Sequence, residues 1–277
     1  MKTVRLMLQS DVSLRKALSY SGSSRQLYYH KPRARNVSYD AAIVKKVKQI
    51  ALTRPSFGTR RMAAVLTREL RTPVNRKKVQ RIFRALNWVC PSMKKNEIIR
   101  SHAKLLKPEA PNTLWEADMT YIWGGRDRWC YLFSVLDVFT RVWIGYAFDT
   151  RAGKENAIMS VNNALASNPR IDTSKLVLRV DNGSQYRSRE FAESMKALGI
   201  KLEFIFVNTP EQNGHIESFQ KTLKREYIWI RDFKDYQEAE GAISDAYHDY
   251  NKKRPHSSLG YKTPFEFLSD WELMRKV

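Results

Sequence analysis

The chain has 277 residues, with 49 Lys+Arg against 28 Asp+Glu and a formal net charge of +21. A hydrophobic share of 43% with 12% aromatics excludes wholesale disorder, and the length suggests about two domains at roughly 100–200 residues each. Only Cys90 and Cys130 are present and the His are scattered, which excludes a disulfide framework and a Cys₂His₂ zinc site.

No membrane span is expected, because the most apolar stretch, residues 129–139, is too short and contains Asp137. Arg5 and Asp11 interrupt any apolar run near the start, so no secretory signal is expected and a reducing cytosolic setting fits. The charge is unevenly spread. Residues 1–110 hold 26 Lys+Arg and 5 Asp+Glu, whereas residues 111–277 hold 23 of each sign. A block this basic points to a polyanion, nucleic acid first; a merely soluble or ribosomal-type basic domain is the plainer alternative.

In chain order, residues 1–38 read as a short helical segment and linker. Leu14, Ala17 and Leu18 mark a helix, residues 21–24 a break, and Leu27, Tyr28 and Tyr29 a second helix, compatible with a truncated helix-turn-helix. Residues 31–38 look like a basic linker.

Residues 39–90 read as a helix-turn-helix-like DNA-binding domain. Asp40 suits the N-cap of a helix running to about Leu52, with Ile43, Val47 and Ile50 on one face. After Gly58, Met62, Val65, Leu66 and Leu70 mark a second helix, which Thr72-Pro73 breaks. Asn75 then caps a third, with Val79, Ile82, Phe83 and Leu86 inward. Arg76, Lys77, Lys78, Arg81 and Arg84 fall mostly on its outer side, where phosphate contact is favoured over base reading. The alternative is a small bundle with a solvated basic face. Residues 91–110 form another basic linker, which either tracks a DNA backbone or serves as a tether.

Residues 111–230 read as α/β. Strands are expected at 114–123, 129–137 and 141–148, with a turn at 124–127. A helix at 154–166, a strand at 176–180, a helix at 189–198 and a strand at 201–207 follow, then a helix from Gly214 to about Tyr227. This order implies a mixed five-stranded sheet with helices against it. Residues 231–277 form a C-terminal helical extension and tail.

Most acidic residues of this half are ordinary surface, but three occupy unusual places. Asp118 lies inside an apolar and aromatic strand, where Asp is depleted. Asp181 ends a strand, where open α/β sheets place ligands, and Glu217 opens a helix. Carboxylates brought together need a cation, and hard oxygen donors suit Mg²⁺ or Mn²⁺. Taken singly, Asp181-Asn182-Gly183 could be a plain turn and Glu217 a helix N-terminal charge. Lys221 and Lys224 share the Glu217 helix face, and spacing alone leaves open whether they clamp DNA phosphate or form an ion pair. Asp137 is assigned a structural role with Arg141.

Three motifs carry a family resemblance: Asn112-x-x-Trp115-x-x-Asp118-x-Thr120-Tyr121, then Asp181-Asn182-Gly183-Ser184-Gln185-Tyr186, then Gly214-x-x-Glu217-Ser218-Phe219 with Leu223-Lys224-x-Glu226. With 35 residues between Asp181 and Glu217, they resemble the DDE integrase core of IS3-type transposases and retroviral integrases. The tail, Tyr250-Asn251-x-x-Arg254-Pro255-His256-x-x-Leu259-Gly260-Tyr261-x-Thr263-Pro264, resembles the end of IS3-type OrfB proteins, and Phe57-Gly58-Thr59-Arg60-Arg61 their upstream helix-turn-helix. The resemblance implies an RNase H-like fold, with Asp118, Asp181 and Glu217 as the catalytic, metal-binding triad. It implies two Mg²⁺ or Mn²⁺ ions, and DNA contact by Lys224, by Lys221 less firmly, and by Arg60 and Arg61. It implies a transposase that cleaves and transfers DNA strands, working on element ends and target DNA in the bacterial cytoplasm at the nucleoid. Such a chain is expected to act as a homo-oligomer on DNA, with an OrfA partner or as a fusion to it. The rival readings are a DNA-binding regulator with an inactive core and an RNase H-like nuclease.

Overall fold

Apolar residues at three- and four-residue spacing build helices at both ends of the chain, and alternating ones build the sheet between them. The computed structural model describes residues 2–10, 12–29, 40–89, 108–206 and 210–275. The expected basic linkers at 31–38 and over most of 91–110, and the expected end of the last strand at Val207, lie outside the described residues.

Two compact units arise, residues 1–40 and 41–277. The first contains α1 (Lys2–Gln9), α2 (Leu14–Ser21) and α3 (Arg25–Tyr29). Val4, Ala17 and Leu18 form its core. Helix α2 stops where Gly22 turns left-handed at φ 62°, a conformation that suits glycine. Helix α1 has no counterpart in the sequence reading, because eight residues without a capping signal give barely two turns of pattern.

The second unit starts with α4 (Ala41–Thr53), α5 (Thr59–Leu70) and α6 (Arg76–Ala85). The expected inward residues Ile43, Val47, Ile50, Met62, Leu66, Val79, Ile82 and Phe83 are buried. The Asn75 side chain caps α6 by accepting from the Lys77 backbone N–H at 2.8 Å.

The sheet comprises β1 (Leu114–Trp123), β2 (Trp129–Asp137), β3 (Trp143–Asp149), β4 (Val177–Val180) and β5 (Lys201–Phe204), in the order β3-β2-β1-β4-β5. The first three are antiparallel, and β4 and β5 join in parallel through helical crossovers. This is the expected mixed α/β sheet with flanking helices. One face packs on α7 (Lys154–Ala166) and α8 (Arg189–Ala197), around Trp115, Phe133, Val161 and Phe191. A Cβ at Gly145 would meet the Ala164 backbone N at 2.5 Å, so only glycine lets α7 lie this close to β3. The other face packs on α9 (Gly214–Leu223) and α10 (Tyr236–Lys252), around Leu132, Trp143, Phe219 and Ile243. The chain closes with α11 (Pro264–Met274), started by a Thr263–Glu266 capping box.

Two expectations change in detail. The single helix expected from Gly214 to Tyr227 becomes α9 followed by a π-helical turn, Lys224–Ile228. That wider turn carries Glu226, Tyr227 and Ile228 inward together. Asp137 is structural, but not through the Arg141 side chain. Its carboxylate accepts from the Thr140 N–H and hydroxyl at 2.6 and 2.7 Å and from the Asn112 N–H at 2.7 Å, a clasp built of backbone and hydroxyl donors instead.

The π turn joins the basic helices to the sheet. Buried Glu226 receives a forked pair of bonds from Arg254 at 2.8 and 2.9 Å and a third from Arg61 at 3.2 Å. Burial opposes its ionised form, but the Arg254 bonds and the Arg254 and Arg61 charges outweigh it and hold the carboxyl below its usual value. Arg54 forks onto Asp249 in the same region, and the Tyr227 hydroxyl donates to Asp249 at 2.7 Å. The helices at 41–85 are thus bonded to the α/β layer rather than merely tethered to it.

Candidate active site

The parallel pairing of β1 with β4 ends at Ala117↔Val180. The next residues along the two segments are Asp118 and Asp181, so the register brings both carboxylates to the same end of the strand pair, close enough for the charge of Asp181 to act on Asp118. The strand pattern places Asp118 there because Trp115, Ala117 and the β2 residues opposite fix β1 in register.

Asp118 Oδ1 accepts from the Met119 N–H at 2.8 Å. Burial first, then the charge of Asp181 and next that of Glu217, raise its carboxyl to about 7, against the Met119 bond and the Lys224 charge. Asp181 Oδ1 accepts from the Gly183 N–H at 2.9 Å, forming the turn that its sequence suggested. Glu217 lies in the first turn of α9, with Lys221 Nζ 3.2 Å from its carboxylate. The ion pair considered for these two residues is therefore formed.

Glu116, two residues before Asp118, is fully buried and sets the position of α9. It accepts from the Ile216 N–H at 2.9 Å and bonds His215 Nδ1 at 3.1 Å. Arg179 of β4 lies 3.5 Å from the same carboxylate, and also donates to Glu203 at 2.8 Å and to the Gln212 carbonyl at 3.1 Å. One buried network therefore links the strand of Asp118, the strand of Asp181 and the helix of Glu217. The sequence reading passed over Glu116 and Arg179. The signal was present, since a charged residue in an apolar strand is the anomaly that singled out Asp118.

Among the described residues, no three acidic or His side chains converge closely enough to grip a metal ion as they stand. Each carboxylate of the trio is turned onto a donor of its own neighbourhood, as like charges require. The donor chemistry still fits a hard divalent cation: three oxygen-bearing groups, one of them pushed toward its neutral form first by burial and then by the other two.

Lys224 makes no ion pair with Glu217. Its Nζ lies 4.8 Å from the centre of the Tyr121 ring, and burial lowers its pKa while Asp118 opposes that shift. Of the basic residues expected to meet DNA, Arg60, Arg76, Lys77, Arg81 and Arg84 are exposed, and Lys78 is half-buried. Arg61 points inward to Glu226.

Family models described as integrase core domain match residues 108–210 and 198–264, and one described as an HTH-like domain matches residues 38–96. The uncharacterized 31.7 kDa protein of insertion element IS407 from Burkholderia multivorans is 30% identical over 264 residues, covering 94% of this chain and 91% of that protein. Transposase InsD for insertion element IS2 from Escherichia coli is 28% identical over 246 residues, covering 83% of this chain and 79% of that one. In fold, the chain is similar to a chain of the simian T-cell lymphotropic virus intasome solved with PP2A regulatory subunit B56 gamma. That match has a TM-score of 0.50 and 20% identity, over 80% of this chain and 73% of the other. No helix among the described residues is long and apolar enough to cross a membrane.

Proposed function

The chain belongs to the integrase-core family of insertion-element transposases, enzymes that cleave DNA strands and join them elsewhere, and we propose that Asp118, Asp181 and Glu217 carry that chemistry here. The carrying observation is the β1–β4 register, which makes Asp118 and Asp181 neighbours, together with the upward shift of the Asp118 carboxyl. Asp118 and Asp181 would hold a divalent ion jointly, and Glu217 would complete the set from α9. When bound there, two Mg²⁺ or Mn²⁺ ions would supply Lewis-acid activation of the attacking oxygen and charge neutralisation at the leaving one.

The chain's own residues have distinct parts in this reading. Water attacks the phosphorus at an element end, the P–O3′ bond breaks, and a 3′-hydroxyl is released. That hydroxyl then attacks a second phosphodiester, one P–O bond forming as another breaks, with no bond to the protein. Lys224 and Lys221 neutralise phosphate charge beside the carboxylates, and the Glu116–Arg179 network fixes how α9 presents Glu217. Arg60, Arg76, Lys77, Lys78, Arg81 and Arg84 hold the DNA backbone. Arg61 belongs to the joint with Glu226 instead. Bringing two element ends to one target calls for more than one copy of the chain, and an OrfA partner or fusion would supply further recognition of the ends.

The test uses purified protein, supercoiled plasmid and labelled element ends, with and without Mg²⁺. Asp181→Asn and Glu217→Gln should each lose metal-dependent nicking and strand transfer by roughly 10³ or more, with DNA affinity nearly unchanged. Retained strand transfer in either variant would show the assignment to be wrong. Cleavage of RNA–DNA hybrids in preference to duplex DNA would favour a nuclease, and binding without any metal-dependent nicking would favour a regulator.

A further inference from the structure

The β1–β2 hairpin ends in a group of aromatic side chains that the fold does not use. Tyr121, Trp123 and Trp129 are 55%, 50% and 49% exposed, whereas Ala117, Phe133 and Val135 on the same sheet face are fully buried. Tyr121 and Trp123 share that face at i and i+2, and Trp129 lies opposite Trp123 in the ladder. The rings touch edge to face, with centroids 5.1 Å apart for Tyr121–Trp129 and 5.2 Å for Trp123–Trp129. This arrangement keeps them in fixed orientation while leaving much of each ring open.

We propose that Tyr121, Trp123 and Trp129 form a stacking platform for unpaired nucleotides of a DNA strand led out of the catalytic cleft past Lys224. The inference rests on the reading of the cleft as a DNA strand-transfer site. Three observations favour a single strand over other occupants. The first is continuity with the cleft: Lys224 is the cation felt by Asp118, and its Nζ sits over the Tyr121 ring at 4.8 Å. The second is an open path. Strand β4 pairs with β1 only as far as Ala117, so β1 beyond that point has β2 alone as a neighbour. From Asp118 to Trp123 is about 17 Å of extended strand, a span of a few nucleotides. The third is charge: Lys224 lies at one end, and the hairpin turn at the other carries the exposed Arg128 next to Asp127, whose carboxylate is engaged by the Tyr236 N–H. A positive track interleaved with aromatic faces is what binds single strands irrespective of sequence. A paired base hides both faces in its own stack, so these rings have no equivalent use on a closed duplex.

The test is run on the full chain without metal, so it needs no turnover. The probe is a single strand of about twelve nucleotides, compared with a fully paired duplex of the same sequence. Trp123→Ala and Trp129→Ala should each weaken single-strand affinity about tenfold, with less than about twofold change for the duplex. Trp129→Phe, which keeps a ring, should stay within about threefold of the parent. Photo-crosslinking of an iododeoxyuridine-substituted strand to the unmodified protein should give adducts in residues 121–129, and this arm holds even if a variant fails to fold. Adducts confined elsewhere, or equal losses on single strand and duplex, would overturn the platform. So would variants that change the sedimentation of the chain while leaving single-strand affinity intact, since that outcome makes the surface an interface between copies. A chain that crosslinks at the platform but never cleaves in Mg²⁺ would refute the catalytic reading and leave the platform standing.

Discussion

The Glu116 carboxylate accepts a hydrogen bond from the Ile216 backbone N–H at 2.9 Å, fastening the first turn of α9 to the first part of β1. Glu217 is the next residue on the helix and Asp118 is two residues further on the strand, so this bond helps set the relation between them.

Glu116→Ala strands the Ile216 N–H and leaves Arg179 buried with one carboxylate partner fewer. Breaking a buried pair of this type costs about 3 kcal/mol, which thermal denaturation should register. Glu116→Gln keeps an acceptor for Ile216 and should cost about 1 kcal/mol. A scaffold residue alone would affect only stability. A positioning residue also lowers single-turnover strand transfer at temperatures where the variant is fully folded, about tenfold for Glu116→Gln, with DNA affinity unchanged. An unaltered rate would remove Glu116 from any part in placing Glu217.

The acidic trio predicts how stability responds to metal. The Asp118 carboxylate is disfavoured first by burial and then by the charges of Asp181 and Glu217, so a divalent ion bound to the trio stabilises the folded chain alone. Millimolar Mg²⁺ should raise the melting temperature of the parent by a few degrees and leave Asp181→Asn nearly unmoved. In chelator the order reverses, because Asp181→Asn removes a repulsive charge and should melt above the parent. A parent insensitive to Mg²⁺ would remove the trio as a metal site.

Much of this was legible in the sequence because strong local signals agreed with the fold. The period of Val79, Ile82 and Phe83 and the cap at Asn75 give α6 its face and its start, and the aromatic and β-branched runs give β1 and β2. Asp118 and Asp181 stand out because each breaks the pattern around it. Less was legible where the partner is distant in the chain. Nothing near Arg61 announces that it will meet Glu226, 165 residues away, so its charge reads as surface. The π turn at Lys224–Ile228 was equally hidden, because the partners that its Glu226 meets, Arg61 and Arg254, lie elsewhere in the chain.

The contrast between Arg61 and the α6 cations gives a salt prediction. Each cation taken off a phosphate should make the dependence of log affinity on log salt shallower by about 0.9. Replacing Arg76, Lys77, Arg81 and Arg84 together with Gln should therefore flatten the slope by about 2 to 4 with little change in melting temperature, since all four are exposed. Arg61→Gln should do the opposite, lowering stability by about 1–2 kcal/mol while leaving the slope in place. Equal slopes for the fourfold variant and the parent would take α6 off the DNA.

His256 predicts the response to acid. Its ring is buried against Tyr250, with Arg254 at 3.3 Å from Nε2. Burial first, then the charges of Arg254, Arg61 and Arg141, depress its pKa from 6.5 to about 2. The folded chain therefore keeps this ring neutral where the unfolded chain takes up a proton, so the ring's own contribution to stability is full above 6.5 and falls as pH drops below it, by about 1.4 kcal/mol per unit. Between pH 6.5 and 5 the loss is about 2 kcal/mol. Glu226, whose pKa is also lowered in the fold, adds a loss of the same sign, but only nearer the ordinary carboxylate range. Asp118, raised to about 7, takes up a proton in the folded chain over the same interval and works against this loss, so the histidine is read from the difference between parent and variant. Denaturant unfolding across that interval should show His256→Asn gaining about 2 kcal/mol relative to the parent as the pH falls from 6.5 to 5. Parallel slopes would mean that the ring is protonated in the folded chain and that the Arg254–Glu226 cluster accommodates its charge.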